Sequence, residues 1–331
     1  MKMCKLQLVL SVILMLNVVA VALPINPAAR RVIPSAFQQI ISVDYRSVRE
    51  SNGATALKAA VLPKTLGDFE KALISVGVNP QKDLESLTFA SFRDRSRELK
   101  RIGIASGSFS LQAILANVAA QNPQPMSYQG SSLYLMMKAT DPKSKDLDMT
   151  FLDNKTLLFG EREALELALG VRNGDTPAMD ANRRYSDLIR DLEKAPVWSV
   201  LNGQGSREML LFALGDASKE EEYADVKKRV LGADYAMNFE DGLKFDLGVL
   251  TLDPESSSAL SSLLKEGSLF KKVKSNAGAK IASTVMSADE DALGLEIHFK
   301  VDREQMQKLL EAHFFDVLSD KPKVQPEMTH P

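Results

Sequence analysis

The sequence predicts an α+β fold of antiparallel sheets with helices packed on one face, organised as two related halves. Three observations carry this. Short runs of alternating apolar and polar residues are joined by tight hairpin signals, Asp153-Asn154-Lys155 and Asp241-Gly242, which favour antiparallel pairing. A strand runs repeatedly into a capped helix, most legibly over 243–267, where Leu243, Phe245, Leu247, Val249 and Thr251 alternate with polar residues. There Asp253-Pro254-Glu255 opens a helix with the apolar stripe Ala259, Leu260, Leu263 and Leu264, and Gly267 can end it. Finally, the residues that follow a strand and open a helix, Asp44, Ser110, Gly160, Ser206, Asp253 and Asp302, mostly recur at roughly fifty-residue intervals. Identity between these units is too low to demonstrate a duplication.

Taken in order, residues 1–22 read as a secretory signal peptide: Lys2 and Lys5 precede an apolar run that ends in Ala20-Val21-Ala22. The run is also long enough to serve as an uncleaved anchor. Residues 23–35, with three prolines and two arginines, read as an extended lead-in. The first half, 36–175, opens with a strand over 37–43, a cap at Asp44 and a helix over 45–61 that Gly53 weakens. A second helical stripe through Leu66, Phe69, Leu73 and Val76 closes at Gly77, and Asn79-Pro80 turns into a strand through Leu84, Leu87, Phe89 and Phe92. Residues 93–101 read as a polar hairpin connection, and Ser108 or Ser110 caps a helix whose Leu111, Ile114, Leu115 and Val118 point inward. A strand over 133–138, the hairpin at Asp153, and a helix opened by Gly160 complete this half.

The pattern breaks over 170–180, which sets the boundary. The second half, 176–318, begins with a helix in which Tyr185, Leu188, Ile189 and Leu192 share a face, then a strand carrying Trp198. Asn202-Gly203-Gln204-Gly205-Ser206 turns into another helix, and the mixed charges of 219–229 read as a solvated segment. After the Asp241-Gly242 hairpin and its capped helix come a basic loop over 271–280, a last hairpin over 281–301, and a helix with Asp302 and Gln305 as a capping box, reaching about 317. The tail, 319–331, reads as disordered.

Composition narrows the function classes. The 331 residues are 45% hydrophobic, enough for a core, and the formal charge of −2 becomes only two units more negative when Lys2 and Lys5 leave. That balance gives no reason to expect nucleic acid as a partner. Membrane contact is expected only if the N-terminal segment stays uncleaved. The single cysteine, Cys4, lies within the signal, so the mature chain carries no disulfide.

No motif assembles a catalytic, cofactor or metal site. His298, His313 and His330 show no ligand spacing, and His298 takes the outward register of a strand beside Glu296 and Lys300. No G-x-S-x-G elbow is present. Ser262 and Lys265 have S-x-x-K spacing, yet Ser262 lies late in its helix, where a nucleophile of that class does not sit. The acidic groups Glu220 to Glu222 and Asp289 to Asp291 fall in solvated positions without the apolar surroundings that would tune a general acid. Gly203 to Ser206 could offer N–H groups to an anion, or simply join a strand to a helix. The basic clusters Arg93, Arg95, Arg97, Lys100, Arg101 and Lys271, Lys272, Lys274 read as solvated loops. Asn154-Lys155-Thr156 fits a glycosylation sequon.

The segments GVNPQKDLESLTFASF, FLDNKTLLFGEREALELAL and PVWSVL, together with ISVDYRSVRES, resemble an uncharacterised family of exported bacterial proteins with a signal peptide. The resemblance spans most of the chain after Pro34 and implies an extracytoplasmic two-part α+β body. It carries no catalytic residue over to this sequence.

The expectation is an exported, non-enzymatic protein of the cell envelope that binds an envelope protein or a hydrophobic small molecule. One alternative is a lipid carrier, for which the strand Leu133 to Lys138, apolar on nearly both faces, would form a cavity wall, although ordinary burial between layers explains the strand equally well. The other is a hydrolase whose residues gather from distant loops.

Overall fold

Asp44 shows in miniature how this chain folds: it ends a strand and opens a helix with the same side chain. Its Oδ1 accepts from the backbone N–H of Arg46, 3.0 Å, and Ser47, 3.4 Å, at the junction of β1 (Phe37–Asp44) and α2 (Tyr45–Arg49). The structure, a computed structural model, describes residues 24–49, 51, 53–55, 64–121, 124–139, 145–266, 286–290 and 294–311. The expected signal peptide with Cys4, the basic loop over 271–280, the tail, His313 and His330 lie outside the described residues.

Before β1 stands α1 (Pro27–Arg30), and after α2 come α3 (Lys64–Ser75), α4 (Pro80–Asp83), β2 (Leu84–Arg93), β3 (Leu99–Gly107) and α5 (Leu111–Gln121). Next are β4 (Met126–Tyr128), β5 (Ser131–Met137), β6 (Leu147–Asp153), β7 (Thr156–Gly160), α6 (Arg162–Asn173) and α7 (Arg183–Leu192). The remainder is β8 (Val197–Asn202), α8 (Gly203–Leu214), α9 (Glu221–Arg229), β9 (Val230–Asn238), β10 (Leu243–Thr251), α10 (Pro254–Glu266), β11 (Met286–Glu290), β12 (Gly294–Val301) and α11 (Arg303–Glu311).

The expected antiparallel α+β class holds, and the strands of both halves run on as one sheet of 12 in the order β11-β12-β10-β9-β8-β1-β2-β3-β7-β6-β5-β4. Its centre is the antiparallel pair β1 and β8, where Ile40 faces Val200 and Ser42 faces Trp198. Outward from that pair, β1-β2-β3-β7-β6 and β8-β9-β10-β12-β11 repeat one strand order, and the hairpin β5-β4 extends the first half alone.

The pleat assigns alternate residues to opposite faces. On one face, Ile40, Ala90, Phe92, Ile104, Trp198 and Val200 pack under α1, α6 and α7 through Ala29, Leu165, Leu169, Tyr185 and Ile189. On the other, Leu87, Phe89, Leu157 and Phe159 pack under α3 and α5, while Leu201, Val249, Leu295 and Ile297 pack under α8, α9 and α10. Helices therefore cover both faces of the first half rather than one. In the second half β8 shares the first of these layers under α7, whereas over β9, β10 and β12 the face that described helices cover is the one that carries Val249. This arrangement also explains β5, because Leu133 is buried in one core layer and Met136 in the other. The strand lies between two packed layers, the ordinary burial that accounts for its two apolar faces.

Three segments differ from their sequence reading. The lead-in folds: Asn26 caps α1 by accepting from Ala28 N–H at 2.7 Å, Pro27 takes the first helical turn, and Ile25, Ala29, Val32 and Ile33 are buried. Burial of that apolar set outweighs the proline content. The charged run over 219–229 holds α9, whose Tyr223 and Val226 are buried at i, i+3 spacing. Of the helix expected over 45–61, α2 ends at Arg49, Ser51 is not helical and 53–55 are helical again, while 50, 52 and 56–61 lie outside the described residues.

Candidate functional site

The face of β9, β10 and β12 that no described helix covers holds the most organised polar surface among the described residues. Register lays it out as a grid. One row crosses the strands as Val200, Asp234, Gly248 and Glu296, and the next as Trp198, Ala236, Asp246 and His298. A third runs through Asn238, Lys244 and Lys300. Trp198 and Val200 belong to the core layer under α1, α6 and α7, so the grid starts where that cover ends.

Ion pairs tie the grid together. Asp246 Oδ2 receives Lys244 Nζ at 2.8 Å, its Oδ1 lies 2.7 Å from His298 Nδ1, and His298 Nε2 lies 3.2 Å from Glu296 Oε2. Side-chain exposures of 57% for Lys244, 31% for Asp246, 38% for His298 and 59% for Glu296 put this row at the solvent. A neutral imidazole can donate to only one of its two carboxylates, whereas an imidazolium donates to both. Partial burial acts to raise the Asp246 carboxyl, but hydrogen bonds from Lys244 and His298 outweigh it and hold the group below its ordinary range. His298 thus occupies the outward register expected of it, and both ring nitrogens are engaged.

Asp234 behaves oppositely. Burial, with the charge of Glu296 adding to it, pushes its carboxyl up to about 6. The group fits because Gly248 has no side chain: a Cβ there would stand 2.9 Å from Asp234 Oδ1. Only part of this site was visible in the sequence: Asp234 and Asp246 lie on the two arms of the Asp241-Gly242 hairpin, but Glu296 comes from a later strand and only the β9-β10-β12 register brings the three together. The alternation of 243–251 placed Lys244, Asp246 and Gly248 on a common face, and that was the available signal.

Two other polar features are organised. Lys100, expected in a solvated loop, is 2% exposed, with its ammonium on Glu163 and on Glu98 at 2.9 Å and Asp94 at 3.5 Å. The hydrogen bonds it donates to Glu163 and then to Glu98 raise its pKa. Near the start of the chain, Tyr45 donates to Glu70, whose carboxyl burial pushes up to about 7, beside a surface groove of about 350 Å³ lined also by Ile74, Val78 and Pro80.

The remaining sequence candidates are accounted for locally. The N–H groups of Gln204 and Gly205 both donate to Asn202 Oδ1 at 2.9 Å, so the glycine-rich turn caps α8 from within and the donors sketched for an anion are taken. Ser262 lies late in α10, is exposed, and donates to Ser258 O at 3.2 Å. Arg93 is committed to Gln38 at 3.0 Å and Glu208 at 2.9 Å. In the sequon, Thr156 is buried and accepts from Asn26 Nδ2 at 3.0 Å, while Asn154 is exposed at the hairpin tip. Glu221 and Glu222 lie in the first turn of α9. Among the described residues, no three His, Cys, Asp or Glu side chains converge to hold a metal ion, and no helix is long and apolar enough to cross a membrane.

No protein-family model matches the chain, and no curated protein matches it. Among solved structures, crystal form I of TP0453 aligns over 88% of this chain and 98% of its own at 10% identity, with a TM-score of 0.46. Crystal form IV of TP0453 aligns over 85% and 96% at 9% identity with a TM-score of 0.44, and form III over 86% and 98% at 10% with 0.43. Resemblance at that level leaves the functional reading to the residues themselves.

Proposed function

We propose that this chain is an exported, non-catalytic protein of the cell envelope that binds a protein partner across the open face of its second half. The supporting observation is Asp234. It is a partly buried carboxylate beside a second carboxylate, Glu296, and no described residue donates a hydrogen bond to it. Two acidic groups in such proximity gain most from a basic side chain, since charge-assisted hydrogen bonds are the stronger kind and desolvation by a partner strengthens them further. The partner therefore presents a lysine or arginine to Asp234 and Glu296, with Lys244 and His298 fixing its register. The basic start and apolar run before Ala22 support export.

Leu250 lies on the same face, exposed, two residues beyond Gly248. A photo-crosslinking residue placed there, in the protein expressed in its own host, tests the reading. The expected result is a discrete adduct with another protein, mapped to a segment containing lysine or arginine and lost in the Asp234→Asn, Glu296→Gln double variant. Absence of an adduct, or one indifferent to both charges, overturns the proposal. Turnover of an envelope substrate that disappears in a folded His298→Asn variant overturns its non-catalytic part.

A further inference from the structure

The open face of β9, β10 and β12 carries both signs of charge, separated along the strands. Its acidic row holds Asp234, Gly248 and Glu296, with Asp289 of β11 level with them by register. Its basic row holds Asn238, Lys244 and Lys300, four residues away on every strand and so about 13 Å distant. Between the two lies the row Ala236, Asp246 and His298, where Lys244 at 2.8 Å and His298 at 2.7 Å answer the charge of Asp246 within the chain. The outer rows are left incompletely paired. Lys300 is exposed and no described residue pairs with it, Glu296 meets only His298 among the described residues, and no described residue donates to Asp234.

We infer that this face docks a second copy of the chain, the two copies related by a two-fold axis that crosses the strands above the row Ala236, Asp246 and His298. The inference rests on the open-face reading and names its partner. Rotation about that axis reverses the strand direction and keeps each strand over its counterpart, so the basic row of one copy lies over the acidic row of the other. Lys300 then meets Glu296, and Lys244 comes down over Gly248. The glycine matters here: a Cβ at 248 would stand 2.9 Å from Asp234 Oδ1, so a lysine entering over the bare Cα reaches that carboxylate. A closed two-fold makes each of these contacts twice. A two-fold along the strands would instead set acid over acid and lysine over lysine, so charge selects the crossing axis. Three strands by eight residues give roughly 400 Å² per copy. That is about half of what a stable interface of standard size buries on each partner, about 800 Å². Exposed ion pairs add little each and are screened by salt, so the dimer is weak and salt-sensitive.

Sedimentation equilibrium of the full chain over about 10–500 µM, in low and in high salt, tests the inference. A monomer–dimer equilibrium with a Kd of about 100 µM is expected in low salt, weakening about tenfold in 0.5 M salt. Lys300→Glu and Glu296→Lys both change exposed residues, and each variant alone should stay monomeric because like charges then face each other at both symmetry-related contacts. An equimolar mixture of the two variants should dimerise again, since both contacts between positions 300 and 296 then join opposite charges. A loss of folding cannot produce that recovery. A photo-crosslinking residue at Leu250 falls over Asp241 and Gly242 of the second copy, and the expected adduct has twice the chain mass and is joined there. A chain still monomeric at about 500 µM in low salt, or a dimer that either charge reversal leaves intact or that mixing fails to restore, overturns the inference. An adduct at Leu250 with a different protein alone, lost in the Asp234→Asn, Glu296→Gln variant, also overturns it while the open-face reading stands. No adduct of either kind overturns both.

Discussion

Asp234 rests on the bare Cα of Gly248: the two are register partners across β9 and β10, and a Cβ at 248 would reach within 2.9 Å of the Asp234 carboxylate. That contact buries a charge without supplying a donor. The carboxyl rises from its ordinary 3.8 to about 6, chiefly through burial. A folded-state value above the unfolded one means that the folded protein holds this proton more tightly. The associated stability is full below the unfolded value and is lost as pH rises through about 6. Asp234→Asn is therefore expected to melt higher than the parent near neutral pH, by roughly 1 kcal/mol after allowance for solvent screening. The difference should vanish at acid pH. Thermal melts across that range read the sign directly.

Glu70 gives a second case of the same sign in the first half, where burial raises its carboxyl from 4.5 to about 7 and Tyr45 donates to it. Its contribution is full below the unfolded value and fades as pH climbs through about 7. Glu70→Gln keeps an acceptor for Tyr45 and removes the charge. Its melting temperature should exceed that of the parent in mildly alkaline buffer and match it below the ordinary glutamate value. Equal curves throughout would mean that solvent reaches this carboxylate.

Lys100 presents the reverse balance, a cation buried to 2% exposure and held by Glu163, Glu98 and Asp94. Its pKa is raised, so its contribution is complete below the ordinary lysine value and fades only in strong alkali. Lys100→Met keeps the buried stem and deletes the charge. The loss should be roughly 1–2 kcal/mol, smaller than for a fully buried pair because Glu98 and Glu163 remain hydrated. Glu163→Gln should lose less, since two carboxylates still face the ammonium. Denaturant melts at neutral pH rank the two variants.

Much of the fold was legible because its turns and caps are local events. Asp302 and Gln305 form the reciprocal capping box that their spacing implies, at 2.8 and 3.1 Å, and Gly242 adopts the positive φ, 123°, that the Asp241-Gly242 hairpin suggests. What stayed hidden depends on distant contacts. Tyr223 and Val226 sit among charges, and only the core beneath α9 shows that a three-residue spacing suffices to bury it. Asn26 before Pro27 was a readable cap, obscured by the neighbouring prolines and arginines. Lys100 looked like any lysine in RDRSRELKR until Glu163, from the helix after β7, closed over it. The open-face grid was the least visible, since register across three strands is not a property of any one of them.

Arg162 and Asp148 supply the largest expected energetic effect. Asp148 is buried at the start of β6, and Arg162 Nε, 2.6 Å away, is the one donor described for its carboxylate. Removing the arginine leaves an ionised group buried without a partner, a change that typically costs about 3 kcal/mol or more. Arg162→Leu should accordingly unfold at markedly lower denaturant concentration. Asp148→Leu in the same chain removes the stranded charge and should recover most of the loss, because a well-packed apolar pair often replaces a buried ion pair without penalty. The double-mutant cycle isolates that coupling. Recovery identifies the buried carboxylate as the source of the damage. A double variant no better than Arg162→Leu would instead place the loss in the packing of the arginine stem against its neighbours on α6.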